Sequence, residues 1–485
     1  MLKTVSKLLK IYEDEIGLFL WVTLLLFLIR SSNILFNNFA ETTFLKRFGV
    51  EYLPMIFMIN SVSTFFIMGI LTGIMARSTG TRMLTLMLLI CGASVGLLRF
   101  VVPLGFDILY PILYLLKAQY EVLLGLLFWN MANDLFNMRQ SKRLFPLITA
   151  GGVIGGVIGS FGTPIVVKWI SIDNLMWAYL VTTFIGAAVV RRMATLFPAL
   201  LTTEKKSRAV KKRSSLKEEF TKVIPLIKES DLVKVLVLLT LLPNVVIPII
   251  NYQFNFAIDE AFATEGGMIK FFSYFRGVMN IVSFVILLFV GRIYGRWGLP
   301  VALMFHPINY LIAFFAFLLR FDILSAMYAR LSTTVLRNTI NNPARGVLMG
   351  LFPAAYRASI RPFLRGTVVR VGTLAGSGLI MLFGGILHPR FLSIIAAVFV
   401  AAWVVSTFFL KRRYSRILLD LISSNMLDLK SMEAQDVGHI FMDKKIHSQL
   451  VEGFLNARGN SCLWYANLLK TLGIEHLDQH ILSVI

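Results

Sequence analysis

The sequence predicts an all-α membrane protein: twelve transmembrane helices in two six-helix bundles, followed by a small soluble helical domain. Three observations carry that expectation. The 485 residues are 57% hydrophobic and only 15% charged, with a mean hydropathy of +0.74, whereas soluble chains carry about 25% charged residues. The apolar residues gather into runs of about 20, the length that crosses a hydrocarbon core. The excess of 48 Lys and Arg over 26 Asp and Glu, a net charge of +22, lies between those runs. It is not collected in one basic domain, so it reads as the positive-inside pattern rather than as a nucleic-acid-binding surface.

Residues 1–15 hold Lys3, Lys7 and Lys10, but Glu13, Asp14 and Glu15 precede the first apolar run, so no cleavable signal peptide is expected. The crossing segments fall at about 17–38, 52–75, 83–104, 107–130, 144–170 and 174–198 in the first half. Those of the second half fall at about 232–256, 267–290, 299–319, 324–350, 366–388 and 391–410. Arg77 and Arg82 follow the second segment, and Arg139, Lys142 and Arg143 the fourth. Arg292 and Arg296 follow the eighth, Arg357 and Arg361 the tenth, and Lys411, Arg412 and Arg413 the twelfth. The loop after the seventh is acidic, with Asp259, Glu260 and Glu265. Both termini are therefore expected in the cytoplasm. The linker at about 200–231 carries Lys205, Lys206, Arg208, Lys211, Lys212, Arg213 and Lys217. It is expected to lie against anionic lipid, a nucleic-acid role being the disfavoured alternative.

This linker separates halves, 1–199 and 232–413, that resemble each other. Gly73, Arg77, Gly80 and Arg82 after the second segment are echoed by Gly291, Arg296 and Gly298 after the eighth. NNFAETTF (37–44), read as following the first segment, is echoed by FNFAIDEAF (254–262) after the seventh. The fifth and eleventh segments are both glycine-rich, with Gly151, Gly155 and Gly159 against Gly372, Gly376 and Gly384. Small residues four apart let membrane helices approach closely. Three echoes in register predict an internal duplication, as in transporters of the major facilitator type.

Residues 414–485 differ, with eight acidic and six basic residues among shorter apolar stripes. Leu450, Phe454 and Leu455, then Trp464, Leu468, Leu469 and Leu472, follow helical spacing. Gly459 and Gly473 punctuate them. The rhythm resembles HEAT-type repeats, although such solenoids need about three repeats.

Charges at membrane depth are costly and mark function by default. Arg30 falls in the first segment, Lys117 and Glu121 in the fourth, Arg276 in the eighth, Arg337 in the tenth and Arg370 in the eleventh. Lys117 and Glu121 are spaced i,i+4 and are expected to face each other. The four arginines have no sequence-local partner. Guanidinium groups in a polar cavity suit phosphate or carboxylate, which the planar fork binds in bidentate fashion. Snorkelling, or pairing with helix-end carbonyls, is the alternative for any one of them.

The junction after the fourth segment reads WNMANDLFNMRQSKRLFPLITAGGVIGG (129–156), and that after the tenth LRNTINNPARGVLMGLFPAAYRASIRPFLRGTVVRVGTLAGSG (336–378). QSKRLFPL (140–147) before a glycine-rich helix resembles a signature of the ATP/ADP translocases of plastids and intracellular bacteria. NPARGVLMGLFP (342–353) with RGTVVRVGTLAGSG (365–378) is similar to the matching second-half signature. The resemblance covers about 15–412 and implies nucleotide transport on a twelve-helix, facilitator-like fold, in a carrier needing no cofactor. Two departures stand out. Where nucleotide-exchanging members carry an acidic residue, this chain has Gln140, and where they carry a lysine–glutamate pair it has Arg345 and Gly346. Lys142, Arg143 and Arg345 keep the anion-friendly character. The HEAT-like tail is similar to that of divergent bacterial members, which implies a bacterial inner membrane and a cytoplasmic partner for 414–485.

Enzyme chemistry has little support. There is no GxxxxGK[ST] phosphate loop, and GGVIGGVIG inside an apolar run is a packing surface rather than a dinucleotide loop. His476 and His480 lack a third metal ligand, and Cys91 and Cys462 predict neither a disulfide nor a zinc site. The expected function is secondary transport of a phosphate-bearing anion, a nucleotide exchanged for another. Two rivals remain: a lipid or lipid-linked precursor transporter of the same superfold, and a non-transporting scaffold or sensor acting through its tail.

Overall fold

A computed structural model describes residues 15–75, 79–136, 138–197, 230–350 and 354–423, with isolated positions besides, among them Tyr12, Phe352 and several between 451 and 470. Nearly all of these are helical. The first half contributes α1 (Ile16–Arg47), α2 (Leu53–Met75), α3 (Gly80–Val101), α4 (Leu109–Leu135), α5 (Met138–Ile170) and α6 (Leu175–Leu196). The second contributes α7 (Asp231–Ala261), α8 (Glu265–Trp297) and α9 (Leu299–Leu319). The next two helices are broken. α10 (Ile323–Leu336) passes through a π-turn at Arg337–Asn341 into α11 (Asn342–Gly350). α12 (Ala354–Phe363) passes through a second π-turn at Leu364–Val368 into α13 (Val369–Phe383). α14 (Leu392–Ser423) is last.

Eleven helical stretches among the described residues are long and apolar enough to cross a membrane. The expected tenth segment is absent from these because Arg337, Asn338, Asn341, Asn342 and Arg345 interrupt its apolar run where the helix widens into the π-turn. Many large apolar side chains, including Phe66, Ile70, Leu97, Val398 and Val405, are largely exposed. Such surface belongs against lipid; the protein is integral to the membrane.

Several boundaries depart from the sequence reading. α1 runs nine residues beyond its expected end at 38, and α7 five beyond 256, so NNFAETTF and most of FNFAIDEAF are helical rather than loop. Polarity made these stretches look like loops. In α1 several of these polar side chains are instead buried: Asn38, Thr42 and Thr43 have no exposed surface. At 32 residues α1 is about 48 Å long, well beyond a hydrocarbon core of about 30 Å. Gly291 and Arg296 lie inside α8, not after it. Gly298 alone separates α8 from α9, and its φ of 76° is one that a side chain would oppose. α14 continues past 413 to Ser423. The basic linker from 200 to 223, Cys462, His476, His480 and most of the expected tail domain lie outside the described residues.

Packing sorts the chain into two compact units. One draws on Met1–Arg213, Asn251–Phe284 and Ser377–Pro389, the other on Ser214–Ile250, Val285–Gly376 and Arg390–Ile485. In the first, Phe36, Phe39, Leu88, Leu124, Phe128, Met131 and Tyr179 form the core. The glycine stripe of α5 seats on α1. A Cβ at Gly155 would lie 2.8 Å from the Phe27 Cα, and one at Gly159 would lie 2.9 Å from the Ser31 Cα. The Ser31 hydroxyl donates to the Gly155 carbonyl at 2.8 Å.

The second unit repeats this device. A Cβ at Gly372 of α13 would lie 2.9 Å from the Leu241 carbonyl oxygen, and Gly376 abuts the Val245 backbone of α7. Gly384 does not join them, because α13 has ended and the nearest atom to its Cβ position is the carbonyl of Ile380. Elsewhere in this unit His306, with no exposed surface, lies edge-on to Tyr310 and Trp403 at 5.0 and 4.9 Å.

Candidate functional site

The α1 extension places a carboxylate among the buried cations. Glu41 lies on the same face of α1 as Asn38, three residues earlier. Lys117 of α4 donates to Glu41 at 3.2 Å. Arg276 of α8 donates to Glu41 through one terminal nitrogen and to the Asn38 side-chain oxygen through the other. The side chains of Glu41, Lys117 and Arg276 are 5%, 9% and 14% exposed. One carboxylate thus serves two cations. Asn38 also donates to Thr163 and Ser273, each at 3.0 Å, tying α1, α5 and α8 around the cluster. The Lys117 ammonium stands 3.8 Å from the centre of the Tyr114 ring, and Arg276 lies 5.2 Å from that of Phe272. Such rings favour a nearby cation. Arg276 is eleven residues into α8, about 16 Å along it and near the middle of a spanning helix.

The expected Lys117–Glu121 pair does not form its own bridge. Glu121 meets Arg30 at 3.6 Å and accepts from Asn37 at 3.1 Å, because Glu41 reaches the ammonium from the neighbouring helix. Arg30 and Glu121 are each about half exposed. Arg30, Lys117 and Arg276 therefore lie in one polar region, carrying three positive charges against two carboxylates.

The motif residues divide between the units. One terminal nitrogen of Arg143 donates to both carboxylate oxygens of Glu15, at 2.7 and 2.5 Å, and the guanidinium lies over the Tyr12 ring at 4.2 Å. Gln140 donates to the same carboxylate at 3.1 Å. A carboxylate thus reaches the Gln140 position from the start of α1, although residue 140 itself is neutral. Lys142 is helical, but its side chain is outside the described ones. In the second unit Arg337 opens the first π-turn and Arg370 follows the second by two residues. Arg345 donates to the Leu239 carbonyl at 3.3 Å. Among the described residues no carboxylate pairs with Arg337, Arg345 or Arg370.

Sequence reasoning missed Glu41, Asn38 and Glu15. Arg30, Asn37, Asn38 and Glu41 recur at intervals of three, four and seven, the signal of a polar face on a longer first helix.

Solved structures of membrane transporters share the fold. The nucleoside transporter NupG aligns at 14% identity and a TM-score of 0.55 over 81% of this chain and 99% of that one. A bacterial homologue of the iron transporter ferroportin, in an inward-facing state, aligns at 13% identity and 0.55 over 81% and 98%. The xylose transporter XylE from E. coli aligns at 11% and 0.53 over 81% and 95%. At these identities the likeness is one of fold alone. The chain belongs to the TLC ATP/ADP transporter family, whose model matches residues 95–342. No curated protein sequence matches the chain. Family and fold are those of a secondary transporter.

Proposed function

We propose that the chain exchanges a phosphate-bearing anion, a nucleotide of the ATP/ADP type, by alternating access across a bacterial inner membrane. The observation that carries this reading is the Lys117–Glu41–Arg276 cluster: two buried cations share one carboxylate, in a chain of the ATP/ADP transporter family. A phosphate oxygen supplies the charge the cluster lacks, and guanidinium binds it in bidentate fashion. Arg30 belongs to the same region. Arg337, Arg345 and Arg370 are further cations proposed to bind substrate, and π-turns such as the one that opens at Arg337 are frequent at functional sites.

On this reading twelve segments form two six-helix halves, the tenth crossing as the broken α10–α11, with both termini cytoplasmic. The α1–α5 glycine seam and its α7–α13 counterpart support such a duplication. Residues 414–485 are proposed to be a soluble helical domain that takes a cytoplasmic protein partner. Thermal unfolding of the detergent-purified protein tests the substrate. ATP and ADP should raise the unfolding temperature and uncharged adenosine should not. Stabilisation by anionic phospholipid alone would favour a lipid carrier instead. A membrane-impermeant thiol reagent should fail to label Ser215→Cys from outside intact cells; ready labelling there would reverse the topology.

A further inference from the structure

The anion that meets Lys117 and Arg276 is a side chain of the protein itself. Glu41 approaches them from α1, while each cation comes from a different helix, α4 or α8. A substrate phosphate seeking the same donors therefore competes with Glu41 rather than filling an empty site. Resting on the phosphate-anion reading above, we propose that Glu41 is an internal counter-ion that stands in for the substrate. With it in place the empty site carries one unmatched charge rather than two, so the carrier can reorient unloaded as well as loaded. Such a protein exchanges nucleotide and also sustains slower net movement.

Glu41 thereby sets both affinity and coupling. Its removal frees two donors for the phosphate and leaves two bare cations whenever the site is empty. Bare buried charge opposes the empty return step, because desolvated cations without a partner are costly. Exchange does not need the empty carrier to reorient, so it is affected less than net movement.

The test uses full-length protein in proteoliposomes loaded with radiolabelled ADP, with release followed into medium with or without unlabelled ADP. The wild type should release label in both media, faster with external ADP. Glu41→Gln should lower the ratio of net release to exchange by about tenfold and bind ADP about tenfold more tightly. Lys117→Gln leaves a matched Glu41–Arg276 pair and should do the reverse, with weaker ADP binding and a larger ratio of net release to exchange; it carries the test if Glu41→Gln does not fold. A wild type that exchanges ADP without net release, or variants that leave the ratio and the affinity unchanged, would overturn the counter-ion role alone. A wild type that moves neither ADP nor inorganic phosphate would remove the anion reading, and this inference with it.

Discussion

Because Glu41 serves both Lys117 and Arg276, the three residues should contribute unequally to stability. Replacing Arg276 by Met removes charge-assisted bonds to Glu41 and Asn38, each contributing about 1.5–3 kcal/mol. It also leaves Lys117 and Glu41 as a matched pair at 3.2 Å and ends the repulsion between the two cations. The net cost should be about 2 kcal/mol. Lys117→Met should cost a similar amount for the same reason. Glu41→Gln is different, since it strands two cations whose side chains are only 9% and 14% exposed. Breaking a buried pair in that way costs about 3–5 kcal/mol. Unfolding of the three variants and wild type, followed by denaturant titration in mild detergent, gives the ranking directly. Saturating ADP should recover more stability in Glu41→Gln than in wild type, because a bound anion meets the stranded cations. If Glu41→Gln is the mildest of the three, the shared-carboxylate account is wrong.

Other contacts lead to further expectations. Gly155→Val drives a side chain into the Phe27 backbone and should cost at least about 1–3 kcal/mol in unfolding measurements, whereas Gly162→Ala, with nothing within 4 Å of its Cβ position, should be neutral. Glu15→Gln removes the carboxylate that Arg143 pairs with and should lower stability by about 1.5–3 kcal/mol, with Glu15→Asp recovering part of it. Asp322 caps α10 by accepting from the Ser325 amide at 2.9 Å, and that bond holds its carboxyl below the usual carboxylate range. A depressed carboxyl stabilises the fold above its ordinary titration range and loses that contribution as pH falls through the folded value. Asp322→Ala should therefore cost about 1 kcal/mol at neutral pH, and its deficit in unfolding temperature should shrink as the medium is acidified.

Composition and periodicity locate the spanning helices well, because apolar runs of sufficient length have no other stable use in a membrane. That α5 packs closely on a neighbour was equally legible in Gly151, Gly155 and Gly159, although only the fold names α1 as that neighbour. The polar extension of α1 was not. Asn37, Asn38 and Glu41 look like the start of a loop unless one knows which helices cover them. For the same reason Lys117 was matched to Glu121 on its own helix rather than to Glu41 on another. The π-turns at Arg337–Asn341 and Leu364–Val368 lay hidden because local widening of a helix leaves no periodic mark in so short a stretch. Glu15, 128 residues away from Arg143 in sequence, is likewise visible only once the chain is folded.

Counterflow reads nucleotide exchange itself. Proteoliposomes containing the purified full-length protein are loaded with unlabelled ATP and diluted into a trace of radiolabelled ADP. The account predicts transient accumulation of label above the external concentration, absent from protein-free vesicles and from vesicles loaded with adenosine, and reduced about tenfold to a hundredfold in Arg276→Ala. No accumulation by correctly folded wild type with ATP, ADP or inorganic phosphate as the loaded anion would contradict it.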